Sequence, residues 1–512
     1  MAEAKDERQE ESTSGEGLSY ADLYMLSRGK ECKLGDLRIE GAKGGWLWDD
    51  ATGKFSLFPY WPTSEGLIRR TLERYVDTSD KRRTFGQLVD DVYHGVQRLS
   101  MLHVDGHPLL KDVNVSFTAN ADDPTAADCV IGLKENNRYR FNVGTTADVS
   151  NFTSELEASA RFKAYNALGY GEGFRIDWSR GNVNEGTVSA TYMNPRFLGT
   201  DEEFSVDLFR ESHNFMQPSS YREHQTGLRL RWMNETKDHQ VQYWLAVREL
   251  MCSKARGGAK EEETPALANW ASREIQEQAG YHTLSSVKHI YTRDRREDAR
   301  ITTGGYTVRV TTELAGLGGD PRLQKFFKEH VQCDANIPLP SQNGSGWNAS
   351  LFLSLQGGLL VPLGEAEARS YIGDRFFLGG QNSLRGFAAK GAGPSAPQRG
   401  SQGEGARDAL GGDIMVAGLA ALRFDIPFAP WARELGIYGQ LFCNVGSIMA
   451  FTGFSDLNAD VRTLRNEART SFGVGLVLPL DKQGSVELNY CRVRKSLHHD
   501  KWRHGVHFGF SV

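Results

Sequence analysis

One short stretch of the chain sets an arginine between an aliphatic residue and a glycine turn. Residues 374–387 read Asp-Arg-Phe-Phe-Leu-Gly-Gly-Gln-Asn-Ser-Leu-Arg-Gly-Phe. A guanidinium in apolar surroundings needs an anion or other acceptors, so the chemistry offered by Arg385 is that of an ion-pair anchor. Gly-Gly and Asn-Ser are also common in turns, and taken alone the stretch favours a strand end followed by a β-turn. The residues that make up this motif are Gly379, Gly380, Leu384, Arg385, Gly386 and Phe387.

No motif of covalent catalysis accompanies this anchor. The sequence has no phosphate-binding loop, no His-Glu-x-x-His pattern and no Gly-x-Ser-x-Gly elbow. Its six cysteines are not paired at Cys-x-x-Cys spacing, which argues against a zinc site and against a disulfide scaffold. We therefore expect no enzyme activity, no cofactor and no metal ion.

Charge and the amino terminus exclude further classes. The 512 residues carry 60 Lys and Arg against 65 Asp and Glu, a net charge of −5 that gives no indication of nucleic-acid binding. Residues 2–17 are rich in Glu, Asp and Ser and lack an apolar core, so they do not resemble a secretory signal. They are also too acidic for a transit peptide, and any organelle targeting is expected to be internal.

The elements that must position the motif alternate between apolar and polar residues. No stretch reaches the roughly 20 apolar residues of a membrane helix, and the mean hydropathy is −0.48. Residues 154–164, 228–232, 486–490 and 506–512 nevertheless place apolar side chains at every second position. This period of two predicts β-strands, and a membrane β-barrel hides its apolar residues in this way.

The predicted strands number sixteen, an even count of segments about ten residues long, as membrane barrels have. A soluble sandwich with one wet face is the alternative, but several charges in succession on the polar face favour a wide hydrated lumen. The strand at 324–334 is equally compatible with a helical turn at 325–330. The predicted strands are 139–149, 154–166, 171–180, 185–194, 203–211, 224–233, 238–250, 281–292, 304–315, 324–334, 347–361, 413–426, 436–448, 470–479, 484–494 and 503–512.

A small α+β domain is predicted before the barrel. Strands at 34–40, 113–118 and 129–135 flank two helical patterns, at 67–76 and 88–99. Thr63 or Ser64 would cap the first helix and Thr84 the second. The domains expected are a disordered segment 1–30, the α+β domain 31–136 and the barrel 137–512, in which 362–412 is the sixth outer loop. A Trp- and Gly-rich insert at 44–62 and an insert at 251–280 have no assigned role.

The order β-α-α-β-β resembles a polypeptide-transport-associated (POTRA) domain. One such domain before a sixteen-stranded barrel resembles the barrel subunit of the mitochondrial sorting and assembly machinery (SAM), a relative of bacterial BamA in the bacterial surface antigen superfamily. The resemblance covers residues 30–512 and is carried by several stretches together. Those stretches are 286–294, 304–306, 313–320, 374–387, 411–413, 442–447 and 487–491.

The resemblance implies that the tip of the sixth loop folds into the lumen. There Arg385 would be held by polar or acidic groups of the wall, for which Asp413, Asn444 and Glu487 are candidates. Bacterial relatives have an Asp where Asn444 stands here. The resemblance therefore does not decide which of the three candidates binds Arg385. At the carboxyl end, Arg503, Gly505, Phe508 and Phe510 resemble the sorting signal of mitochondrial barrel precursors; the plainer interpretation is simply a last strand, and the two are compatible.

The function that the resemblance implies is insertion of other β-barrel proteins into the mitochondrial outer membrane. A client strand would pair at a lateral seam between the first and last strands, with the POTRA-like domain in the intermembrane space. The implied partners are β-barrel precursors, peripheral SAM subunits and outer-membrane lipid. The alternatives are a polypeptide-translocating pore of the same superfamily and a diffusion porin.

Overall fold

In a computed structural model the chain divides into two units, Met1–Tyr139 with Ala164–Gly173, and Arg140–Lys163 with Phe174–Val512. The structure describes residues 28–41, 48–49, 54–55, 63–73, 83–120, 123, 125–149, 154–252, 271–296, 304–320, 323–339, 349–364, 369–381, 383–398, 406–427, 429–451, 453, 457–480 and 484–511.

The first unit is built on a four-stranded sheet in the order β4-β1-β8-β7. Strand β1 is parallel to β8 and antiparallel to β4, and β7 is antiparallel to β8. The elements are β1 Glu31–Glu40, β2 Trp48–Asp49, β3 Lys54–Phe55, α1 Glu65–Glu73, β4 Arg83–Thr84, α2 Phe85–Ser100, β5 His103–Val104, β6 His107–Pro108, β7 Leu110–Ala119 and β8 Ala126–Glu135.

The helix α2 begins where the sequence predicts it and buries its apolar face. Thr84 accepts a hydrogen bond from the backbone of Gln87, and the Gln87 side chain accepts one from the backbone of Thr84, which completes a capping box. Leu88, Val92 and Leu99 are buried at helical spacing. Phe85 contacts Phe117 of β7 edge to face, with ring centroids 5.6 Å apart, which ties the helix to the sheet.

A polar cluster joins the turn Ala164–Gly173 to the rest of the first unit. Thr63, a candidate cap of α1, instead donates its backbone N–H (2.9 Å) and its hydroxyl to Glu135. Asn166 donates to the Thr63 hydroxyl (2.8 Å), and Arg138 is ion-paired with Glu135. The helix α1 starts at Glu65, so Ser64 occupies the capping position.

The second unit is a sixteen-stranded antiparallel β-barrel, and the predicted fold class is confirmed. Its neighbouring strands follow chain order from β9 to β26, with the residues between β19 and β22 forming the sixth outer loop. The strands are β9 Tyr139–Val149, β10 Ser154–Tyr165, β11 Gly173–Gly181, β12 Asn184–Asn194, β13 Glu203–Phe215, β14 Tyr221–Met233, β15 His239–Cys252, β16 Gly280–Asp294, β17 Gly305–Ala315, β18 Phe326–Leu339, β19 Ala349–Pro362, β22 Ile414–Asp425, β23 Tyr438–Met449, β24 Arg469–Leu480, β25 Gly484–Lys495 and β26 Gly505–Ser511.

The alternative of a helical turn at 325–330 is wrong. These residues lie in or next to β18, which pairs along its whole length with β19 and extends five residues beyond the predicted end at 334. The segment forms a strand because β18 pairs with β17 on one side and β19 on the other. The hydrogen bonds of these two ladders override a weak local preference for a helix.

Several predictions fall partly outside the described residues. Of the segment 1–30 only 28–30 is described, as a turn, and of the insert 44–62 only the pair β2–β3 is described. Within 251–280 the structure describes a short helix, Arg273–Glu277. Among the described residues no helix has the length and apolar character needed to cross a membrane.

The capping box gives a first prediction. Thr84→Ala should make the amide protons of the first turn of α2 exchange roughly fivefold faster, because loss of an N-cap costs about 1 kcal/mol. The measurement is hydrogen exchange on the full chain. The control is Asp90→Ala, an exposed position within the same helix, which should leave exchange in that turn unchanged; equal acceleration in both variants would contradict the assignment.

Candidate functional site

The sixth outer loop leaves β19, turns back and contacts the barrel wall before it returns to β22. It contains a 3-10 turn, Ile372–Asp374, and a small hairpin of two strands, β20 Ser395–Pro397 and β21 Arg407–Ala409. Isolated bridges pair Phe376 with Gly412 and Leu378 with Ala392. The loop is therefore held by its own backbone pairing on both sides of the motif.

The glycines of the motif permit a tight turn at the loop tip. Gly379, Gly380 and Gly386 have φ of +120°, +96° and +91°, a region that side chains rarely adopt. A Cβ on Gly386 would lie 3.1 Å from Cγ2 of Val493 on β25. Gly380 and Phe387 are joined by a backbone hydrogen bond of 3.1 Å across this turn. The result is that Arg385 is presented to the wall at the closest approach of the loop.

Arg385 forms a buried ion pair with Glu487 of β25. Its Nη2 lies 2.9 Å from Oε2 and 3.1 Å from Oε1 of the carboxylate, and the two side chains are 5% and 3% exposed. The guanidinium carbon lies 4.9 Å from the centroid of the Phe442 ring. Removing one charge of such a pair leaves the other buried without compensation.

Neutral polar groups complete the coordination of the carboxylate. Gln381 of the loop, Gln440 of β23 and Asn489 of β25 donate to Glu487 Oε2 at 3.0, 3.3 and 2.8 Å. Nε and Nη1 of Arg385 have no hydrogen-bond partner in the described part of the chain. The carboxylate of Glu487 therefore has more hydrogen-bond partners than the guanidinium of Arg385. Its Oε2 atom accepts hydrogen bonds from the loop and from two wall strands.

The other two candidate partners lie elsewhere. Asp413 accepts from the Ser370 hydroxyl and from the Phe451 backbone N–H (3.0 Å), at the end of the loop. Asn444 donates to the Ser471 hydroxyl (3.2 Å), which in turn donates to the backbone carbonyl of Arg385 (2.6 Å). Of the three candidates, Glu487 contacts the guanidinium, while Asn444 supports the backbone of the same residue through Ser471.

An apolar cluster surrounds the loop tip. Leu384 is fully buried and Phe387 is 1% exposed, so the two residues that flank Arg385-Gly386 pack into the wall. Their cluster is formed by Leu284, Ala315, Phe326, Leu360, Phe376, Leu378, Leu384, Phe387, Ala392, Met415, Ala417, Ile448 and Val493. This burial keeps water away from the neighbouring ion pair and so strengthens it.

A second buried ion pair fixes the base of the loop, and the sequence analysis did not identify it. Asp374 binds Arg248 of β15 at 2.7 Å, and its carbonyl accepts from Nζ of Lys328 at 2.7 Å. Nearby, the Tyr371 hydroxyl donates to Glu223 of β14 (3.1 Å). Burial, together with the Glu223 charge, raises the pKa of the Tyr371 phenol above its ordinary value, so it remains a neutral donor.

The loop tip also pairs with the segment that precedes β26. Ala388 N–H donates to Lys501 O (2.9 Å), and Arg503 N–H donates to Gly386 O (3.0 Å). Asp500, whose side chain is 1% exposed, binds Arg469 of β24 at 3.0 Å and accepts from Gly393 N–H at 3.2 Å. The motif and the last hairpin therefore share one hydrogen-bonded network.

The residues of the carboxyl-terminal signal lie in and before β26. Arg503 joins the loop as described, and its carbonyl accepts from His507 Nε2 (2.9 Å). Gly505 opens the strand with φ of +121°. Phe508 is half-buried and lies opposite Leu488, while the backbone of Phe510 pairs with Val486.

A local sequence pattern could have identified one of the site residues that were not predicted, but not the second ion pair. The alternation of β25 places Asn489 on the same polar face as Glu487, so it marks a wall position beside the carboxylate. Asp374 and Arg248 are 126 positions apart, and no local pattern connects them. Among the described residues, no three His, Cys, Asp or Glu side chains are grouped so as to hold a metal ion.

The family is decided by comparison with known proteins. The Omp85 superfamily domain matches residues 166–512, more than half of the chain. The chain belongs to the Omp85 superfamily. Within this superfamily it is 31% identical over 355 residues to sorting and assembly machinery component 50 homolog A of Xenopus laevis, covering 68% of each chain. It is 30% identical over 405 residues to the Homo sapiens component 50 homolog, covering 77% of each chain.

A solved Omp85 structure has the same fold. The match is to BamA from Haemophilus ducreyi lacking POTRA domains 1–3, with a TM-score of 0.68 and 17% sequence identity, over 94% of this chain and 84% of that chain. At this identity the likeness concerns the architecture, a barrel preceded by a small α+β unit.

The central ion pair gives a second prediction. Arg385→Met should lower the free energy of unfolding by roughly 3–5 kcal/mol, because it leaves the buried Glu487 carboxylate without its cation. Arg385→Met with Glu487→Gln should be less destabilised than the sum of the single variants. The measurement is equilibrium denaturation of the detergent-folded full chain.

The matched control for this cycle is an exposed ion pair. Arg273 and Glu277 are 82% and 46% exposed, so Arg273→Met with Glu277→Gln should change stability by less than about 1 kcal/mol. Strictly additive effects at Arg385 and Glu487 would show that the two residues do not act as a pair.

Proposed function

We propose that this Omp85 protein is the core insertase of a sorting and assembly machinery, which integrates β-barrel precursors into the mitochondrial outer membrane. The observation that carries the proposal is the anchoring of the sixth loop, through Arg385–Glu487, to the hairpin that ends in β26. Its relatives named as component 50 homologs support the same activity. The activity requires strand pairing and no covalent chemistry.

The lateral seam is proposed to lie between β9 and β26, the two strands at the ends of the sheet order. Strand β26 has seven residues against eleven in β9, so pairing between them can occupy only part of β9. Backbone groups left unpaired in lipid cost several kcal/mol each, roughly by transfer estimates. A client strand that adds to this edge by β-augmentation removes that cost.

The sixth loop is proposed to act as a clamp on the seam. Its tip holds the segment before β26 by backbone hydrogen bonds at Gly386–Arg503 and Ala388–Lys501. The wall in turn holds the tip through Glu487, on the strand that pairs with β26. Movement of the tip is therefore coupled to β26, and the clamp keeps that strand in register while a client pairs nearby.

The remaining parts of the proposal follow from this role. The POTRA-like domain 31–136 lies in the intermembrane space, the barrel 137–512 lies in the membrane, and loop 362–412 faces the cytosol. The partners are β-barrel precursors, peripheral subunits of the machinery and outer-membrane lipid. The loop tip packed in the lumen weighs against a diffusion porin, which requires an open passage.

The test is depletion of the protein from cells, followed by complementation and a pulse of newly made outer-membrane barrels. Wild-type protein should restore their assembly into native complexes, whereas Arg385→Ala should itself insert but restore assembly at least severalfold less well. The control is Arg369→Ala, an exposed arginine at the base of the same loop, which should behave as wild type. Normal barrel assembly without any copy of the protein would refute the insertase.

The seam is tested separately by crosslinking. A cysteine in the last strand of an arrested barrel precursor should form a disulfide with cysteines introduced at alternate positions of β9. The same client should not crosslink to cysteines on the outer face of β17, which lies in the middle of the sheet order, away from both β9 and β26. Crosslinks of equal yield to both strands would contradict a seam while leaving the insertase itself intact.

A further inference from the structure

The hairpin of β25 and β26 exposes arginines at the end that contacts the sixth loop. Arg492 and Arg494 are exposed near the end of β25, and Arg503 is exposed just before β26. Their side chains form no ion pair or hydrogen bond within the described ranges of the chain. Three exposed guanidinium groups on this one hairpin thus have no anion among the described residues.

Nothing in the hairpin neutralises this charge. Between 491 and 504 the single acid is Asp500, and its buried carboxylate already binds Arg469. Lys495 and Lys501 add positive charge, and each donates to a backbone carbonyl, of Asn466 (2.6 Å) and Arg407 (3.1 Å). Carbonyl groups satisfy hydrogen bonds but leave the net charge in place, so the surface is strongly cationic.

The position of the arginines along β25 puts them at the edge of the lipid. Leu488 and Tyr490 are exposed on the outer face of this strand, whereas Cys491 and Val493 are buried on the inner face. Arg492 and Arg494 continue the outer column, roughly 7 and 14 Å beyond Tyr490 at a strand rise of about 3.4 Å per residue.

An aromatic side chain marks the same level. Trp502 is 42% exposed, and its ring lies 4.7 Å from that of His504. Exposed Tyr and Trp side chains of membrane proteins concentrate at the headgroup level. The column of β25 therefore passes from apolar residues through Tyr490 to arginines, in the order in which a bilayer passes from acyl chains to phosphates.

We propose that this surface, the β25–β26 rim (Arg492, Arg494, Trp502 and Arg503), binds the phosphate groups of anionic phospholipids. The lipid belongs to the leaflet on the side of the sixth loop. Guanidinium groups bind phosphate oxygens in a bidentate manner, and unpaired arginines at headgroup level offer their donors without breaking any internal contact. The proposal requires the barrel and its membrane, and it does not depend on the insertase activity.

The position of the rim means that a lipid bound there would act on β26. The rim lies on the hairpin that carries β26, and it includes Arg503, whose backbone pairs with the loop tip. Anionic lipid held there would stabilise the end of β26 nearest the loop.

The experiment uses the full chain in neutral detergent, titrated with phosphatidylglycerol or with phosphatidylcholine, and native mass spectrometry counts the lipids retained. Wild-type protein should retain phosphatidylglycerol in preference. The variant Arg492→Gln/Arg494→Gln/Arg503→Gln should bind it at least ~10-fold more weakly, since each basic residue near a membrane surface contributes a several-fold factor. The corresponding triple lysine variant should lose less of its affinity for phosphatidylglycerol.

The matched control removes the same charge elsewhere. Arg180, Arg210 and Arg273 are exposed arginines that lie on separate elements, and their triple glutamine variant should bind phosphatidylglycerol as wild type does. Circular dichroism establishes that both variants keep their strands. If both variants lost affinity for phosphatidylglycerol equally, the effect would come from the net charge of the protein and not from the rim, and the proposal would be overturned.

Two further arms decide the source of the phosphate. Glycerol phosphate at the same concentration should compete poorly, because it lacks the acyl chains that lie along the outer column of β25. A polyglutamate peptide that bound the rim while phosphatidylglycerol did not would make the surface a protein site and refute the lipid. If the wild-type chain retained phosphatidylglycerol and phosphatidylcholine equally, that result alone would refute the proposal.

Discussion

The ion pair of Arg385 and Glu487 lies where water is excluded, so each charge depends on the other. The guanidinium comes from a loop and the carboxylate from a barrel strand 102 positions away. Because an isolated charge in this place is costly, the loop is driven to the depth at which its arginine meets the carboxylate. The polar groups of Gln381, Gln440 and Asn489 donate to the same oxygen atom of Glu487, so this one contact joins the loop to the two strands β23 and β25.

The surrounding structure serves this contact in different ways. The positive φ angles of the tip glycines let the backbone approach β25, where a Cβ at Gly386 would meet Val493. Leu384 and Phe387 bury their side chains beside the pair and lower the local dielectric. At the base of the loop, the second pair, Arg248–Asp374, fixes the other end. Between these two anchors, the loop tip contacts the segment before β26 through backbone hydrogen bonds.

Much of the architecture could be predicted because it depends on residues that are close together in the sequence. Alternation with a period of two follows from a strand with one face in lipid and one in the lumen, and it is visible in several segments, such as 154–164 and 486–490. The cap of α2 was also predictable, since Thr84 and Gln87 are three residues apart. The interpretation of 325–330 as a helical turn failed because pairing with β17 and β19, remote in sequence, decided that segment.

The sequence by itself determined the number of strands, the face on which each residue lies, and the motif whose arginine needs an anion. Asp413, Asn444 and Glu487 remained candidate partners of that arginine, two of them carboxylates and one a neutral hydrogen-bond acceptor. Only the tertiary structure decided between them, and only it disclosed the pairs Arg248–Asp374 and Arg469–Asp500. The physical reason is that alternation fixes which side of a wall a residue faces, whereas the depth and direction of an in-folded loop depend on curvature and packing contributed by distant strands.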